Sequence, residues 1–141
     1  MAAQSTRPSA GGHSFPVDFA SISFLIVDDQ PFTRRLVRTM LHSFGSREVY
    51  ESASGAEALE LARSTMPNII ITDLIMPEMN GKQVAEQLRP MRPDMKVLYI
   101  SGYTSNAIVH YGVLDAGLWF LPKPFTLSAL VAKVREVLDS K

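Results

Sequence analysis

Residues 68–81 read NIIITDLIMPEMNG. A short apolar run of branched side chains stops at Asp73, and a loop punctuated by Pro77 and Gly81 follows it. Strands that are apolar throughout, without alternation, belong to sheets covered on both faces, and such sheets are mostly parallel. The same unit recurs on either side. Residues 22–27 are an apolar run ending at Asp28-Asp29, residues 95–100 one ending at Ser101-Gly102, and residues 118–121 one ending shortly before Lys123. Residues 48–51 supply a further short strand.

Amphipathic segments separate these runs. Pro31 suits an early helical position, and Leu36, Val37, Met40, Leu41 and Phe44 recur at helical spacing until Gly45. Ser54 is placed to cap a second helix carrying Ala58, Leu59, Leu61 and Ala62. Further helices are expected over residues 82–88, 106–111 and 126–138. Five strand–helix alternations imply an α/β fold, a doubly wound parallel sheet with helices on both faces. Pro122 is easiest to accommodate if the fifth strand lies at a sheet edge. Residues 1–20 are rich in Ala, Ser, Gly and Pro and lack apolar periodicity. They are expected to form a flexible arm, with Phe15, Val17 and Phe19 able to pack locally, ahead of one domain over residues 21–141.

Composition narrows the function classes. Fourteen basic residues balance fourteen acidic ones, so no global field favours nucleic acid or an anionic membrane. No apolar run approaches bilayer length, and the first residues lack a basic-then-apolar signal pattern. Without cysteine there are no disulfides and no thiolate metal sites. The expected location is the cytoplasm.

In doubly wound sheets ligands sit beyond the carboxyl ends of the strands, where Asp28, Asp29, Asp73 and Ser101 all fall. Three carboxylates on one rim repel, so the site requires a cation or raised pKa values. Oxygen donors without nearby His or Cys favour a hard ion, Mg²⁺ or Mn²⁺. Mg²⁺ held by one or two carboxylates keeps positions open for water and phosphate oxygens. Lys123 adds a point charge for phosphate, Ser101 a hydroxyl donor, and Gly102 a backbone that permits close approach. Positioning and charge neutralisation are what phosphoryl transfer demands. An aspartate can itself be the nucleophile and needs no separate base, being ionised at neutral pH.

The segments FLIVDDQ, IIITDLIMPEMNG, YISG and FLPKPF, in that order, resemble the signature of receiver domains of two-component response regulators. The resemblance covers residues 22–138 or so. It implies a flavodoxin-like five-stranded sheet of order 2-1-3-4-5. It also implies that Asp73 accepts the phosphoryl group, while Ser101 and Lys123 bind its oxygens. Mg²⁺ would be held by Asp29 directly, by Asp28 mostly through water, by Asp73 and by the backbone carbonyl of Ile75. The Lys123–Pro124 peptide is usually cis in the family. Phe120 stands where the family places a switch aromatic, often a tyrosine, and lacks the hydroxyl that would bond toward Ser101. The first helix commonly touches the phosphodonor, although its Arg34, Arg35 and Arg38 read as a solvated face. Ile75 and Tyr103 flank the acceptor with apolar or aromatic bulk, expected to hinder the hydrolytic water and lengthen the phosphoryl lifetime.

The implied function is a phosphorelay switch that catalyses its own phosphorylation and dephosphorylation without turning over external substrates. Its partners are a histidine kinase or histidine phosphotransfer protein and a downstream protein target, with no nucleic acid and no membrane insertion. Two other readings stand beside it. An Mg²⁺-dependent aspartyl-phosphate phosphatase commonly carries a second aspartate two residues after the nucleophile, whereas Leu74 and Ile75 follow Asp73 here. A receiver segment of a hybrid histidine kinase is suggested by SGYT and GVLDAGLWFLPKPFT, while DDQPFTRRLVRTML is similar to chemotaxis-type single domains.

Overall fold

The computed structural model describes residues 18–102 and 119–140. Strands β1 (Ser23–Val27), β2 (Glu48–Ser52), β3 (Ile69–Asp73), β4 (Lys96–Ser101) and β5 (Trp119–Pro122) join into one parallel sheet of order β2-β1-β3-β4-β5, the flavodoxin-like arrangement. Helices α1 (Pro31–Ser43), α2 (Gly55–Thr65), α3 (Gly81–Leu88) and α4 (Leu127–Asp139) cover it. The helix expected over residues 106–111 lies outside the described residues, as do Phe15, Val17 and Tyr103. Among the described residues no helix is long and apolar enough to cross a membrane.

The triple isoleucine of β3 explains the layering. Its alternating side chains go to opposite faces. Ile69 and Ile71 join Phe24, Ile26, Val37, Leu41, Leu98 and Leu130 under α1 and α4. Ile70 joins Leu25, Val27, Ala58, Ala62, Val84 and Leu88 under α2 and α3. Burying such a side chain on either face contributes roughly 1.5–3 kcal/mol, which is why a polar residue inside these runs would be costly. Polarity resumes where the strands leave the helices' cover.

Two strands, β3 and β4, extend past their apolar runs into a polar residue. Asp73 pairs with Ile100, and Ser101 with Pro122, so backbone pairing continues through polar side chains. Pro122 sits in β5, which is an edge strand, where the missing N–H leaves no neighbour unpaired. Local chemistry sets the helix ends. Ser54 accepts the Glu57 N–H at 3.2 Å, and Gly45, at φ 99°, turns the chain after α1 as an L-residue rarely can. Upstream of β1, Asp18 caps a single 3₁₀ turn, Phe19–Ser21, and buries Phe19 against Phe24 and Phe44.

Candidate functional site

The carboxyl edge of the sheet gathers the polar residues that follow its strands. Asp28 leaves β1 fully buried, its N–H donated to the Ser52 carbonyl at 3.1 Å. Its Oδ1 accepts the Gln30 N–H at 2.9 Å, and its Oδ2 lies 3.1 Å from Lys123 Nζ. Asp29, next in the chain, is exposed. Asp73 closes β3 with 6% of its surface exposed. Its Oδ2 is 3.5 Å from Lys123 Nζ, and its Oδ1 accepts the Ile75 N–H at 3.4 Å. Lys123 reaches this rim because its N–H bonds the Ser101 carbonyl at 2.8 Å, carrying the β4–β5 pairing one step past Pro122. The Lys123–Pro124 peptide is cis.

Asp28, Asp29 and Asp73 each offer a carboxylate oxygen, all within 4.8 Å of one another. Burial and the neighbouring Asp28 push the Asp73 carboxyl up from an ordinary 3.8 to about 6, against the opposing pull of Lys123. One ammonium does not offset three carboxylates. A hard divalent ion fits both the donor set, which is all oxygen, and the negative charge that, after burial, adds to the rise of the Asp73 pKa. Beside the cluster opens a cleft of about 550 Å³ lined by Asp29, Gln30, Asp73, Gly102 and Lys123, with Ile75, Met76 and Pro77 forming an apolar wall. Phosphate-sized groups fit such a cleft.

The residues expected from sequence thus converge, with differences of detail. Ser101 ends β4 fully buried at the same edge. Phe120 pairs in register with Tyr99 and packs half-buried against the α2–α3 cluster, while Trp119 turns to the opposite face beneath Lys133. The expectation of a solvated arginine face on α1 needs correction. Arg34 Nη1 donates to the Asp28 carbonyl at 2.7 Å and its Nε lies 3.3 Å from Glu51, which also binds Arg38 at 2.8 Å. The strand order places β2 beside β1, so Glu51 lies under α1; Arg35 and Arg38 remain exposed, and Arg34 is the one of the three drawn inward. The structure adds Gly81 to the residues that shape the site. A Cβ there would collide with the carbonyl oxygen of Asp73, so the loop after β3 folds back only onto glycine. Its signal in sequence is the residue type alone.

Residues 24–135 match the family described as response regulator receiver domain. The chain is 37% identical over 123 residues to the sensor kinase CckA of Brucella abortus, covering 86% of this chain and 13% of the kinase. It is 37% identical over 119 residues to the response regulator MprA of Mycobacterium ulcerans, covering 84% of this chain and 50% of the regulator. This chain therefore spans half or less of either relative. Among solved structures, the chemotaxis protein CheY4 of Vibrio cholerae superposes with a TM-score of 0.73 at 29% identity, over 82% of this chain and 98% of that one. The receiver domain of the hybrid histidine kinase CckA superposes at 0.68 with 30% identity, over 82% and 98%.

Proposed function

The chain belongs to the response regulator receiver domain family, and from that premise we propose that it is a phosphoacceptor signalling switch whose acceptor is Asp73. The observation that carries this reading is the setting of the Asp73 carboxylate. It ends the middle strand of the sheet at an open cleft, beside two other carboxylates and 3.5 Å from the Lys123 ammonium.

A phosphohistidine brought to the cleft presents its phosphorus to an Asp73 carboxylate oxygen. As the oxygen–phosphorus bond forms, the phosphorus–nitrogen bond breaks, the imidazole leaves and is protonated from water, and an acyl phosphate remains on Asp73. Lys123 turns from the carboxylates to a phosphoryl oxygen, and the Ser101 hydroxyl donates to another. Asp29, Asp73 and the Ile75 carbonyl would hold Mg²⁺ or Mn²⁺ directly. Asp28, whose Oδ1 is already taken by the Gln30 N–H, would reach the ion through water. When bound, the ion supplies positive charge to the phosphoryl oxygens. A phosphatase acting on external substrates is disfavoured because Ile75, lining the cleft wall two residues after Asp73, offers no acid.

Phosphorylation biases an element that already has two states, and we place the readout at Phe120, acting through packing without a hydroxyl. The phosphodonor, a histidine kinase or histidine phosphotransfer protein, meets Phe32, which is 75% exposed, and Leu36. These flank a groove of about 150 Å³ that Lys123, Pro124 and Phe125 complete. A downstream protein target reads the outcome, in the cytoplasm, whether the receiver acts alone or as a segment of a hybrid kinase. Incubation with Mg²⁺ and acetyl phosphate or phosphoramidate should add one phosphoryl mass, and Asp73→Asn should abolish the gain. Persistence of the gain in that variant overturns the assignment.

A further inference from the structure

Asp28 is held at four points. Its N–H bonds Ser52, its Oδ1 takes the Gln30 N–H, its Oδ2 pairs with Lys123, and its carbonyl accepts Arg34 Nη1 at 2.7 Å. The last contact differs in kind. The Asp28 carbonyl belongs to the peptide plane joining Asp28 to Asp29, so a bond to it sets how that plane is turned and hence where the Asp29 side chain departs. Asp29 itself is exposed, so burial does not fix its orientation.

Arg34 is equipped for the task. Only 18% of its side chain is exposed, and its guanidinium forks between the Asp28 carbonyl and Glu51 Oε1, 3.3 Å from Nε. Glu51 is in turn anchored by Arg38 at 2.8 Å and carried on β2, in register with Ile26 of β1. The bridge therefore ties the turn after β1 to the neighbouring strand, and a planar fork fixes direction where a flexible ammonium does not. We propose that Arg34, braced by Glu51, is a positioning residue for divalent-cation binding, holding the Asp28–Asp29 peptide so that the Asp29 carboxylate faces Asp73. The inference rests on the metal-assisted reading above.

Positioning and simple charge predict opposite signs. Arg34 is a cation close to the acidic cluster, so if only its charge mattered, removing it would tighten Mg²⁺ binding. If it positions Asp29, removing it weakens binding, by about tenfold on the scale typical of groups that orient metal ligands. The test is calorimetric titration of Mg²⁺ into the metal-free protein, with melting in EDTA recorded alongside. Arg34→Met should weaken Mg²⁺ about tenfold, and Arg34→Lys, which keeps the charge but lacks the fork, should weaken it nearly as much. Unchanged or tighter binding in folded Arg34→Lys overturns the inference, and that variant decides should Arg34→Met fail to fold. A wild-type protein that binds no Mg²⁺ overturns the functional reading as well; wild-type binding matched by both variants overturns this inference alone.

Discussion

The two ends of the β-sheet follow opposite rules. At the amino end, groups find partners. Asn68 accepts the Ser23 N–H through Oδ1 at 2.8 Å, returns its own N–H to the Ser23 carbonyl at 2.9 Å and takes the Lys96 N–H at 3.0 Å. Lys96 Nζ reaches the Ser140 carbonyl at 2.7 Å, and Phe19 packs at a tilt against Phe24 and Phe44, with the Arg135 guanidinium over its ring. The buried hydroxyls of Ser23 and Ser46 are exceptions there. At the carboxyl end, three carboxylates crowd one ammonium, and Asp73 is held near a pKa of 6. One end is relieved and the other is left under electrostatic tension. The tension is what a cation and a phosphoryl group are able to release, so the ends divide stability from function.

The largest effect should come from breaking the relieved end. Phe19 is 3% exposed, and truncating a buried phenylalanine costs about 3 kcal/mol or somewhat more. Phe19→Ala is expected to lower the unfolding free energy by that amount in urea while leaving the Mg²⁺ affinity within about twofold, since no charge near Asp73 changes. A parallel loss of Mg²⁺ affinity would show that the two ends are not separable.

Relieving the strained end should have the reverse sign. Asp73 is protonated more readily in the folded chain than in the unfolded one, with a pKa near 6 against 3.8. Between those values the native state binds more protons, so its stability falls as pH rises through the window, and above it the penalty is complete. A tenfold change in proton affinity corresponds to about 1.4 kcal/mol, which sets an upper limit of roughly 3 kcal/mol on what neutralising Asp73 can return. Asp73→Asn, compared with wild type without metal, is expected to gain about 2 kcal/mol at about pH 7.5 and almost nothing at about pH 4. Urea unfolding at the two pH values checks this. A gain independent of pH would mean that the ionised Asp73 carboxylate, disfavoured by burial and by Asp28 beside it, is not its cause.

The relieved end and the strained end are not equally readable in the sequence. Asp28-Asp29, Asp73, Ser101 and Lys123 each follow an apolar run, so strand period and a doubly wound topology suffice to bring them to one edge. Pro122 even indicates the edge strand, because its missing N–H tolerates few positions. What sequence leaves hidden depends on contacts between elements. Arg34 and Glu51 stand on different elements, and nothing local distinguishes Arg34 from the exposed Arg35; their pairing emerges only once β2 is seated beside β1. Gly81 matters through the backbone of Asp73, which packs against it in space rather than by pattern. Phe19 sits where composition still reads as an arm, and its aromatic neighbours come from β1 and the end of α1.

The smallest expected effect sharpens the contrast within the strained end itself, between its polar floor and its apolar wall. An acyl phosphate on Asp73 is lost when water attacks phosphorus in line, and a water is best held there by a hydrogen-bonding group beside the acceptor. Ile75 lines the cleft with Met76 and Pro77 and offers such a water neither donor nor acceptor from its side chain. Ile75→Asn introduces both, while Asp28, Asp29 and Lys123 keep their places. Its phosphoryl half-life should be roughly threefold shorter, a change in barrier of less than about 1 kcal/mol. Following decay of the phosphorylated mass after donor removal, with Mg²⁺ present throughout, measures it. An equal or longer half-life in the asparagine variant would remove Ile75 as the brake and leave the lifetime to the polar floor.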